Sequence, residues 1–410
     1  MVGAATGMQF LQAALVNNAF GAYVAVLAEE RGWSKTALSG AAALQQMETA
    51  ILGPVLGWLL DRFGPRVFIR AGVFFLGGGL MLLSTVDSLA GFYGAFVVIA
   101  MGGSLAGFFP LNVALIHWFE RYRARALSSM SLGLAFGGLA APLIAWSLQA
   151  QGWRPTAFYS GMVAIAVGFP LAMVMRNKPE DYGERVDGFE HGSSTTRSEI
   201  ADDTGSGTRD FTAREAVRTP AFWLISLGHG FALFVVHTVL VHAITHMKQG
   251  LGYSIATAAM VMAMVTAFQI VGVMLGWWLG DRFDKRLISA TCMLMHASGL
   301  LLLTYAVAMP MLVGFAVLHG IAWGLRGPFM QAIRADYFGR AAIGMILGLS
   351  YMIIILGQMG GPLLAGAFAD AHGNYRTGFT ILAILASHGS QHTPTPGPGG
   401  LIARSCHDHE

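Results

Sequence analysis

Long apolar runs follow one another along almost the whole of this chain, and they constrain its fold more than any other feature. A helix needs about 20 mostly apolar residues to span a bilayer. Charged residues make up only 11% of the 410 residues, whereas soluble domains carry roughly 25%. Most of the surface must therefore face lipid. Runs long enough to span occupy residues 4–27, 37–60, 67–86, 89–118, 124–149, 155–175, 220–246, 254–279, 287–307, 310–337 and 341–369.

The apolar runs fall into two groups on either side of a polar stretch. Residues 176–219 are rich in Ser, Thr, Gly and Asp, a composition that cannot bury a core and is typical of a flexible linker. The sequence therefore predicts an all-α integral membrane protein. It would have an N-terminal six-helix bundle (1–175), a linker (176–219) and a C-terminal helix bundle (220–387).

A twelfth run begins near Thr377 and is unusually short. About ten apolar residues precede the segment SHGSQHTPTPGPGGLIARSCHDHE, which is half of what crossing a bilayer requires. The corresponding run of the first half continues to Met175. We therefore expect an incomplete twelfth span followed by an irregular polar tail at 388–410, as a reading-frame change or a truncation would produce.

Positive residues are distributed unequally between the two sets of loops. Most of the 25 Lys and Arg residues lie in the linker or in segments 61–70, 120–125, 281–286 and 334–340. Such residues accumulate in cytoplasmic loops. The prediction is a multi-pass protein of the cell inner (plasma) membrane with both termini and the linker in the cytoplasm. The opposite loops carry only Arg31, Lys35, Arg154, Lys248 and Arg376.

The two halves also repeat each other. The segment GWLLDRFGPR at 57–66 has a counterpart in GWWLGDRFDKR at 276–286. Asp61 and Asp281 are as far apart in the sequence as Pro142 and Pro362. Two parallel six-helix repeats are typical of transporters whose halves rock around a central site.

One segment of the repeat carries a specific motif, which consists of Gly57, Asp61, Arg62, Gly64 and Arg66. In residue type, spacing and position it resembles the loop signature of the major facilitator superfamily. Physically, a glycine lets two helices approach closely, and an aspartate can accept hydrogen bonds at the positive end of a neighbouring helix. The resemblance implies two six-helix bundles related by pseudo-twofold symmetry and a latch on the cytoplasmic side. Asp281 and Arg282 are the matching residues of the second half.

Further segments resemble the monocarboxylate-porter-like branch, which includes bacterial oxalate/formate-type exchangers. Relatives in this branch commonly carry a carboxylate-binding arginine in span eight and, among oxalate exchangers, a lysine in span eleven. Here Val273 stands at about the first position, and no lysine occurs in span eleven. The substrate is therefore left open. The segments that carry the resemblance are Gly32–Thr36, His117–Phe119, Arg123–Ala126, Gly152–Arg154 and Asp336–Arg340.

Ionisable side chains at membrane depth are costly and mark functional sites. Arg326 in span ten could pair with a substrate carboxylate through its planar fork. It could instead form an ion pair or bind backbone freed by Pro328. Glu48 in span two could carry a coupling proton, because a buried carboxyl ionises less readily. The alternative is a neutral, hydrogen-bonded structural glutamate.

Other polar groups complete the predicted substrate site. They suit a small polar or weakly acidic solute, although such residues also hold helices together. His242 and His246 are spaced for one helix face but lack the glutamate of a zinc-protease motif, so no metal is expected, and no cofactor. The predicted substrate-binding residues besides Arg326 are Asn17, Asn112, His237, Gln269, Tyr351 and Gln358.

The expected function is secondary active transport of a small organic acid by alternating access, with proton symport or exchange. No nucleophile–base constellation is visible, so we do not expect an enzyme. The expected partners are a small solute, protons and the lipid bilayer, with no nucleic acid, and the chain is expected to act as a monomer. The alternatives are transport of a neutral or other small solute, and a non-transporting membrane sensor on the same fold.

Overall fold

The computed structural model describes residues 1–188 and 210–389, and its long elements there are helices. The middle of the predicted linker and nearly all of the predicted tail lie outside these residues. The first half contains α1 (Val2–Arg31), α2 (Lys35–Phe63), α3 (Pro65–Leu83), α4 (Leu89–Trp118), α5 (Arg123–Gln151) and α6 (Trp153–Val174). The second half contains α7 (Pro220–Gly250), α8 (Ile255–Leu279), α9 (Lys285–Thr304), α10 (Met309–Phe338), α11 (Ile343–His372) and α12 (Arg376–Gly389).

Within the described residues, ten helices are long and apolar enough to cross a membrane. The two others are α2 and α12. Helix α2 has 29 residues and is therefore long enough, but it carries Gln45, Gln46 and Glu48 close together near its middle. Helix α12 has only 14 residues, whereas a span takes about 20. Residues 390–410 lie outside the described part of the chain, so the shortness of the twelfth span stays a prediction from the sequence.

Helix α1 is irregular near its middle. Ala13–Asn17 forms a π-helical turn before the α-helix resumes at Phe20. The side-chain amide of Asn18 donates to the carbonyl oxygen of Ala13 at 2.9 Å. The backbone N–H of Asn18 donates to the same carbonyl oxygen at 2.9 Å, so both donors of Asn18 close the π-helical turn.

The two halves pack against each other through α2 with α11 and through α5 with α8. Glycine permits the first contact, because a Cβ on Gly57 would stand 2.7 Å from the carbonyl carbon of Gly344. At the second contact, a Cβ on Gly276 would lie 3.0 Å from the hydroxyl oxygen of Ser128. Both contacts lie toward the end of the molecule that carries Asp61 and Asp281, which we call the motif end.

The described ends of the linker are attached to the motif end in equivalent ways. Asp187 accepts hydrogen bonds from the backbone N–H groups of Glu120 and Arg121 at 3.0 and 2.6 Å. Asp210 accepts from the backbone N–H groups of Arg340 and Ala341 at 2.8 and 3.3 Å. These positions correspond to each other in the two halves, so each linker end is bonded to the same loop of its own half.

Candidate functional site

The motif end is held by a carboxylate of one half that caps a helix of the other. Asp61, at the end of α2, accepts hydrogen bonds from the backbone N–H groups of Gly344 and Met345, both at 2.7 Å. These N–H groups belong to the first turn of α11 and have no partner within that helix. The positive end of the helix dipole adds to the attraction for the carboxylate.

Asp281 forms the reciprocal contact. It follows α8 and accepts hydrogen bonds from the backbone N–H groups of Ala124 and Arg125, at 3.1 and 3.2 Å, in the first turn of α5. Burial raises the pKa of Asp281, and these bonds together with nearby cations only partly offset that effect. Beside this contact, Asp336 of α10 binds both Arg123 and Lys285. Three carboxylates thus join the halves at the motif end.

The arginines of the motif contact aromatic side chains of their own half. The guanidinium groups of Arg62 and Arg282 lie over the rings of Trp58 and Trp278 of their own segments, at 5.2 and 5.1 Å from the ring centroids. Arg66 donates to the hydroxyl of Tyr182 at 3.1 Å. Gly64 has a φ of 76°, a conformation that favours glycine, at the turn between α2 and α3.

Two neighbouring cavities lie between the halves, farther along the helices from the motif end than these contacts. The larger has a volume of about 230 Å³ and the smaller about 160 Å³, and Phe108 and Tyr351 line both. The larger brings together four of the predicted residues, which are Arg326, Gln269, Tyr351 and Gln358. Its other polar lining residues are Ser131, His229, His296, Trp323 and Gln331. The polar lining residues of the smaller cavity are Gln12, Gln45, Thr49, Ser104 and Tyr351.

Arg326 is the charged residue in the wall of the larger cavity. Its side chain is buried, and one terminal nitrogen donates to the carbonyl oxygen of Gly228 on α7 at 2.9 Å. The other two guanidinium nitrogens, Nε and Nη1, have no hydrogen-bond partner among the described residues. Within residues 1–188 and 210–389, the structure shows neither an ion pair for Arg326 nor a bond from it to backbone freed by Pro328.

Four other predicted residues lie outside the lining of both cavities. Asn17 is exposed in the π-helical turn. Asn112 is fully buried and donates to the carbonyl oxygen of Phe108 on its own helix. His237 likewise bonds within its helix, to the carbonyl oxygen of Leu233 at 3.0 Å. Glu48 lies next to the smaller cavity, where it accepts from the hydroxyl of Ser104 at 2.8 Å.

Arg334 requires a correction. Its placement in a charged loop is wrong, because it lies within α10 and is 1% exposed. Its guanidinium donates to the hydroxyl of Ser350 at 3.0 Å, to the carbonyl oxygen of Met330 at 2.8 Å and to Nδ1 of His229 at 3.2 Å. All of these partners are neutral. The C-terminal half therefore holds two buried guanidinium groups.

Three buried histidines near this site were also missed. They are His229 on α7, His296 on α9 and His319 on α10. Each lies inside an apolar run, so the rule that selected His237 would have selected them too. What the sequence does not reveal is that His229 and His296 face the cavity that Arg326 lines.

The family model described as Major Facilitator Superfamily matches residues 5–243 and 230–387. The chain belongs to the major facilitator superfamily. It is a multi-pass membrane protein and a secondary transporter, and it is not an enzyme.

Known proteins that are similar to this chain include transporters of several named solutes. Monocarboxylate transporter 13 of Bos taurus is 25% identical over 344 residues, covering 82% of this chain and 75% of that protein. The glycerol-3-phosphate transporter of Bacillus subtilis (strain 168) is 24% identical over 377 residues, covering 86% and 82%. The oxalate:formate antiporter of Oxalobacter formigenes is 24% identical over 377 residues, covering 89% and 83%. The resemblance to the monocarboxylate-porter-like branch, which includes oxalate/formate-type exchangers, is confirmed.

Solved structures agree on the fold. The proton:xylose symporter XylE, bound to 6-bromo-6-deoxy-D-glucose, superposes with a TM-score of 0.72 at 16% identity and covers 95% of this chain and 93% of its own. At this identity the likeness establishes the shared fold of two helix bundles and leaves the solute to be argued from the site.

Proposed function

We propose that this transporter carries a small organic anion, such as a monocarboxylate, by alternating access, with proton symport or exchange. The anion binds in the larger cavity and its carboxylate is paired with Arg326. Gln269, Tyr351 and Gln358, which line the same cavity, supply neutral hydrogen-bonding groups for the rest of the solute.

The carrying observation is the state of the Arg326 side chain. It is buried at the cavity wall, and two of its three nitrogens lack a partner among the described residues. A buried cation is strongly unfavourable unless it is paired. No carboxylate of the same half lies at its depth, because the acids of 220–389 are Asp281, Asp284, Asp336 and Asp370, in a loop or near the ends of helices. A bound anion would supply the missing charge.

The names of the similar proteins support the same class of solute. Monocarboxylates, oxalate, formate and glycerol-3-phosphate are all anions. The resemblance to the monocarboxylate-porter-like branch implies an arginine in span eight, and Val273, which stands at about that position here, lines the same cavity as Arg326. We infer that Arg326 on α10 supplies the carboxylate-binding guanidinium that α8 lacks in this chain.

The motif end serves as the gate in this proposal. Asp61 and Asp281 close it by capping α11 and α5, and Gly57 allows the backbones to meet. Opening would break both sets of bonds as the halves rock. In the same proposal the motif end faces the cytoplasm, the bundles correspond to 1–175 and 220–387, and the chain acts as a monomer.

The test is uptake of labelled lactate, pyruvate and glycerol-3-phosphate into proteoliposomes under a pH gradient. Wild type is compared with Arg326→Ala, and Arg326→Lys keeps the charge but loses the fork. Removing one partner of a buried charge pair costs about 2–5 kcal/mol, so we expect the affinity of Arg326→Ala to fall by about 30-fold or more. Arg376→Ala is the matched control, because Arg376 is exposed at the start of α12.

Each outcome has a definite meaning once the variants show the wild-type size-exclusion profile and melting temperature. Saturable uptake that is lost in Arg326→Ala and kept in Arg376→Ala supports the proposal. Uptake of the acids that is indifferent to Arg326→Ala contradicts the role of Arg326. Uptake of an uncharged sugar in place of every acid favours the neutral-solute alternative, and binding without uptake favours a sensor.

A further inference from the structure

Two buried histidines form a hydrogen-bonded pair beside the central cavity. Nδ1 of His296 on α9 lies 3.2 Å from Nδ1 of His319 on α10, with the rings at 70° and their centroids 4.7 Å apart. Both side chains are 1% exposed. A bond between two imidazole nitrogens requires a proton on one and a lone pair on the other. The pair is therefore asymmetric when neutral, and each ring has one nitrogen left over.

The two leftover nitrogens differ in their surroundings. Nε2 of His319 is buried and has no hydrogen-bond partner among the described residues. His296, in contrast, lines the larger cavity together with Arg326. Its Nδ1 is occupied by His319, so its Nε2 is the nitrogen through which the pair can exchange a proton with the cavity.

The other histidine that lines this cavity cannot serve in the same way. His229 receives an N–H of Arg334 at its Nδ1. A guanidinium has only donors, so Nδ1 of His229 must be the unprotonated nitrogen and its proton sits on Nε2. Adding a second proton would place it directly against a guanidinium that is always charged.

We propose that the His296–His319 pair is the proton-binding site of this transporter and that it takes up one proton when an anion binds at Arg326. The inference rests on the proposed function. In the neutral tautomer that accepts this proton, His296 carries its hydrogen on Nδ1 and donates it to Nδ1 of His319, whose own hydrogen is on Nε2. The lone pair of His296 Nε2 then forms the new N–H bond, and the cationic ring keeps donating to His319, across which the charge can be shared. The anion and the proton then travel together as a neutral pair.

The charges around the pair explain why the two events are coupled. The described ionisable groups around the pair are Arg326 on α10, His229 on α7, which lines the same cavity as His296, and Cys292, one turn before His296 on α9, while α8 carries none. The described ionisable side chain of α12, Arg376, lies at the start of that helix. Without an anion, a proton on the pair would join the cation of Arg326 with no carboxylate to offset either charge. A carboxylate bound to Arg326 offsets the charge of the guanidinium and so reduces its repulsion of a proton on the pair.

Coupling of this kind is reciprocal, so protonation strengthens anion binding by the same factor that the anion strengthens protonation. Glu48, for which the sequence leaves open a proton-carrying role or a neutral structural one, lies beside the smaller cavity and accepts a hydrogen bond from Ser104. His296 of the pair instead lines the same cavity as the guanidinium of Arg326. It is therefore the better placed of the two to respond to the anion's charge.

The test measures protons directly. Purified protein is titrated with pyruvate in weakly buffered solution containing a pH indicator, and the protons taken up per pyruvate bound are compared between variants. We expect about one for wild type and about none for His296→Gln, which cannot titrate, with pyruvate affinity reduced by about 5- to 150-fold. His372→Gln is the matched control, because His372 is exposed at the end of α11.

A second measurement uses the same variants in proteoliposomes. Exchange of labelled for unlabelled pyruvate needs no net proton movement, whereas accumulation driven by a pH gradient does. We expect His296→Gln to keep exchange and to lose accumulation, a result that also shows the variant to be folded. His319→Gln should lower the accumulation because its ring shares the charge.

Three results would overturn the inference. Wild type could bind pyruvate without taking up a proton, which leaves the proposed function intact. His296→Gln could still take up one proton per pyruvate, which would move the proton site elsewhere, with Glu48→Gln the next variant to measure. Wild type could fail to bind any of the anionic probes, and this failure alone would also contradict the proposed function.

Discussion

At the scale of single residues, one exposed aspartate holds three helices together at the end opposite the motif end. Oδ1 of Asp87, in the loop between α3 and α4, accepts hydrogen bonds from Arg31 at 2.8 Å and from Arg154 at 2.6 Å. Arg154 also donates to the carbonyl oxygens of Ser84 and Val86. The loop is therefore tied to the end of α1 and to the start of α6.

This arrangement predicts a dependence of stability on pH. The hydrogen bonds from Arg31 and then Arg154 hold the pKa of Asp87 below its ordinary value. A carboxyl with a lowered pKa in the folded state contributes stability above the ordinary value, and loses it as pH falls through the lowered one. We expect Asp87→Asn to lower the melting temperature in detergent by about 1 °C at neutral pH, because exposed ion pairs are weak.

The difference between wild type and Asp87→Asn should vanish in acid, where the carboxyl is protonated in both folded and unfolded chains. Glu29→Gln is the control, since Glu29 is an exposed acid on α1 for which no ion pair is found among the described residues. A difference that persists unchanged below the lowered pKa of the folded state would show that the asparagine acts through packing rather than charge.

The residue scale is also where sequence reasoning reaches its limit. Arg326 stands out because a charge inside an apolar run has a high energetic cost wherever it points. Asn17 and Asn112 belong to the same class of signal, yet one is exposed and the other is bonded within its own helix. Facing direction depends on helix rotation, which is set by packing between helices. Arg334 was misplaced because the segment counted as a loop, 334–340, overlaps the apolar run 310–337, and α10 in fact continues to Phe338.

At the scale of helices, the contact between α2 and α11 predicts how the gate can be disturbed. A Cβ on Gly57 would lie 2.7 Å from the carbonyl carbon of Gly344 and 3.0 Å from Cα of Met345. Backbone atoms cannot move aside as a flexible side chain does. We therefore expect Gly57→Ala to push the two helices apart and to shift the population toward molecules that are open at the motif end.

The shift can be measured as a distance between spin labels at Val67 and Leu287, in a background lacking Cys292 and Cys406. Both positions are exposed, at 60% and 70%, and they correspond in the two halves. Gly57→Ala should add a longer distance to the distribution. Gly78→Ala is the control, because a Cβ there meets nothing within 4 Å. An unchanged distribution in Gly57→Ala would contradict the role of this contact.

Helix identity was easier to predict than helix rotation. Hydropathy marks where a chain must enter lipid, so the membrane spans and the short α12 follow from composition and length. The apolar runs give no sign of the π-helical turn in α1, because hydropathy does not record which backbone pairs are broken. The repeated motif fixes which helix ends meet, since a carboxylate at one helix end seeks unpaired N–H groups at another.

At the scale of the whole molecule, the charges of the loops predict which end of the transporter faces the cytoplasm. Arg334 is buried in α10 and no longer counts among the loop charges. Arg340 stays in its loop, and the other segments on the motif side keep their Lys and Arg residues, so the excess of positive charge there remains. Positive loops stay in the cytoplasm during insertion. The motif end, with its gate formed by Asp61 and Asp281, is therefore expected to face inward.

Single cysteines test this orientation in intact cells. Val307, 88% exposed between α9 and α10, and Phe283, 58% exposed beside Asp281, lie at opposite ends of the molecule. In the background lacking Cys292 and Cys406, an impermeant maleimide should label Val307→Cys in intact cells, and Phe283→Cys only after permeabilisation. The reverse pattern would place the gate outside. The hydrogen bonds of Asp61 and Asp281 close the motif end in this conformation, and the cavity lined by Arg326 lies deeper in the molecule. If the labelling places the motif end in the cytoplasm, these bonds block the Arg326 site from the cytoplasm.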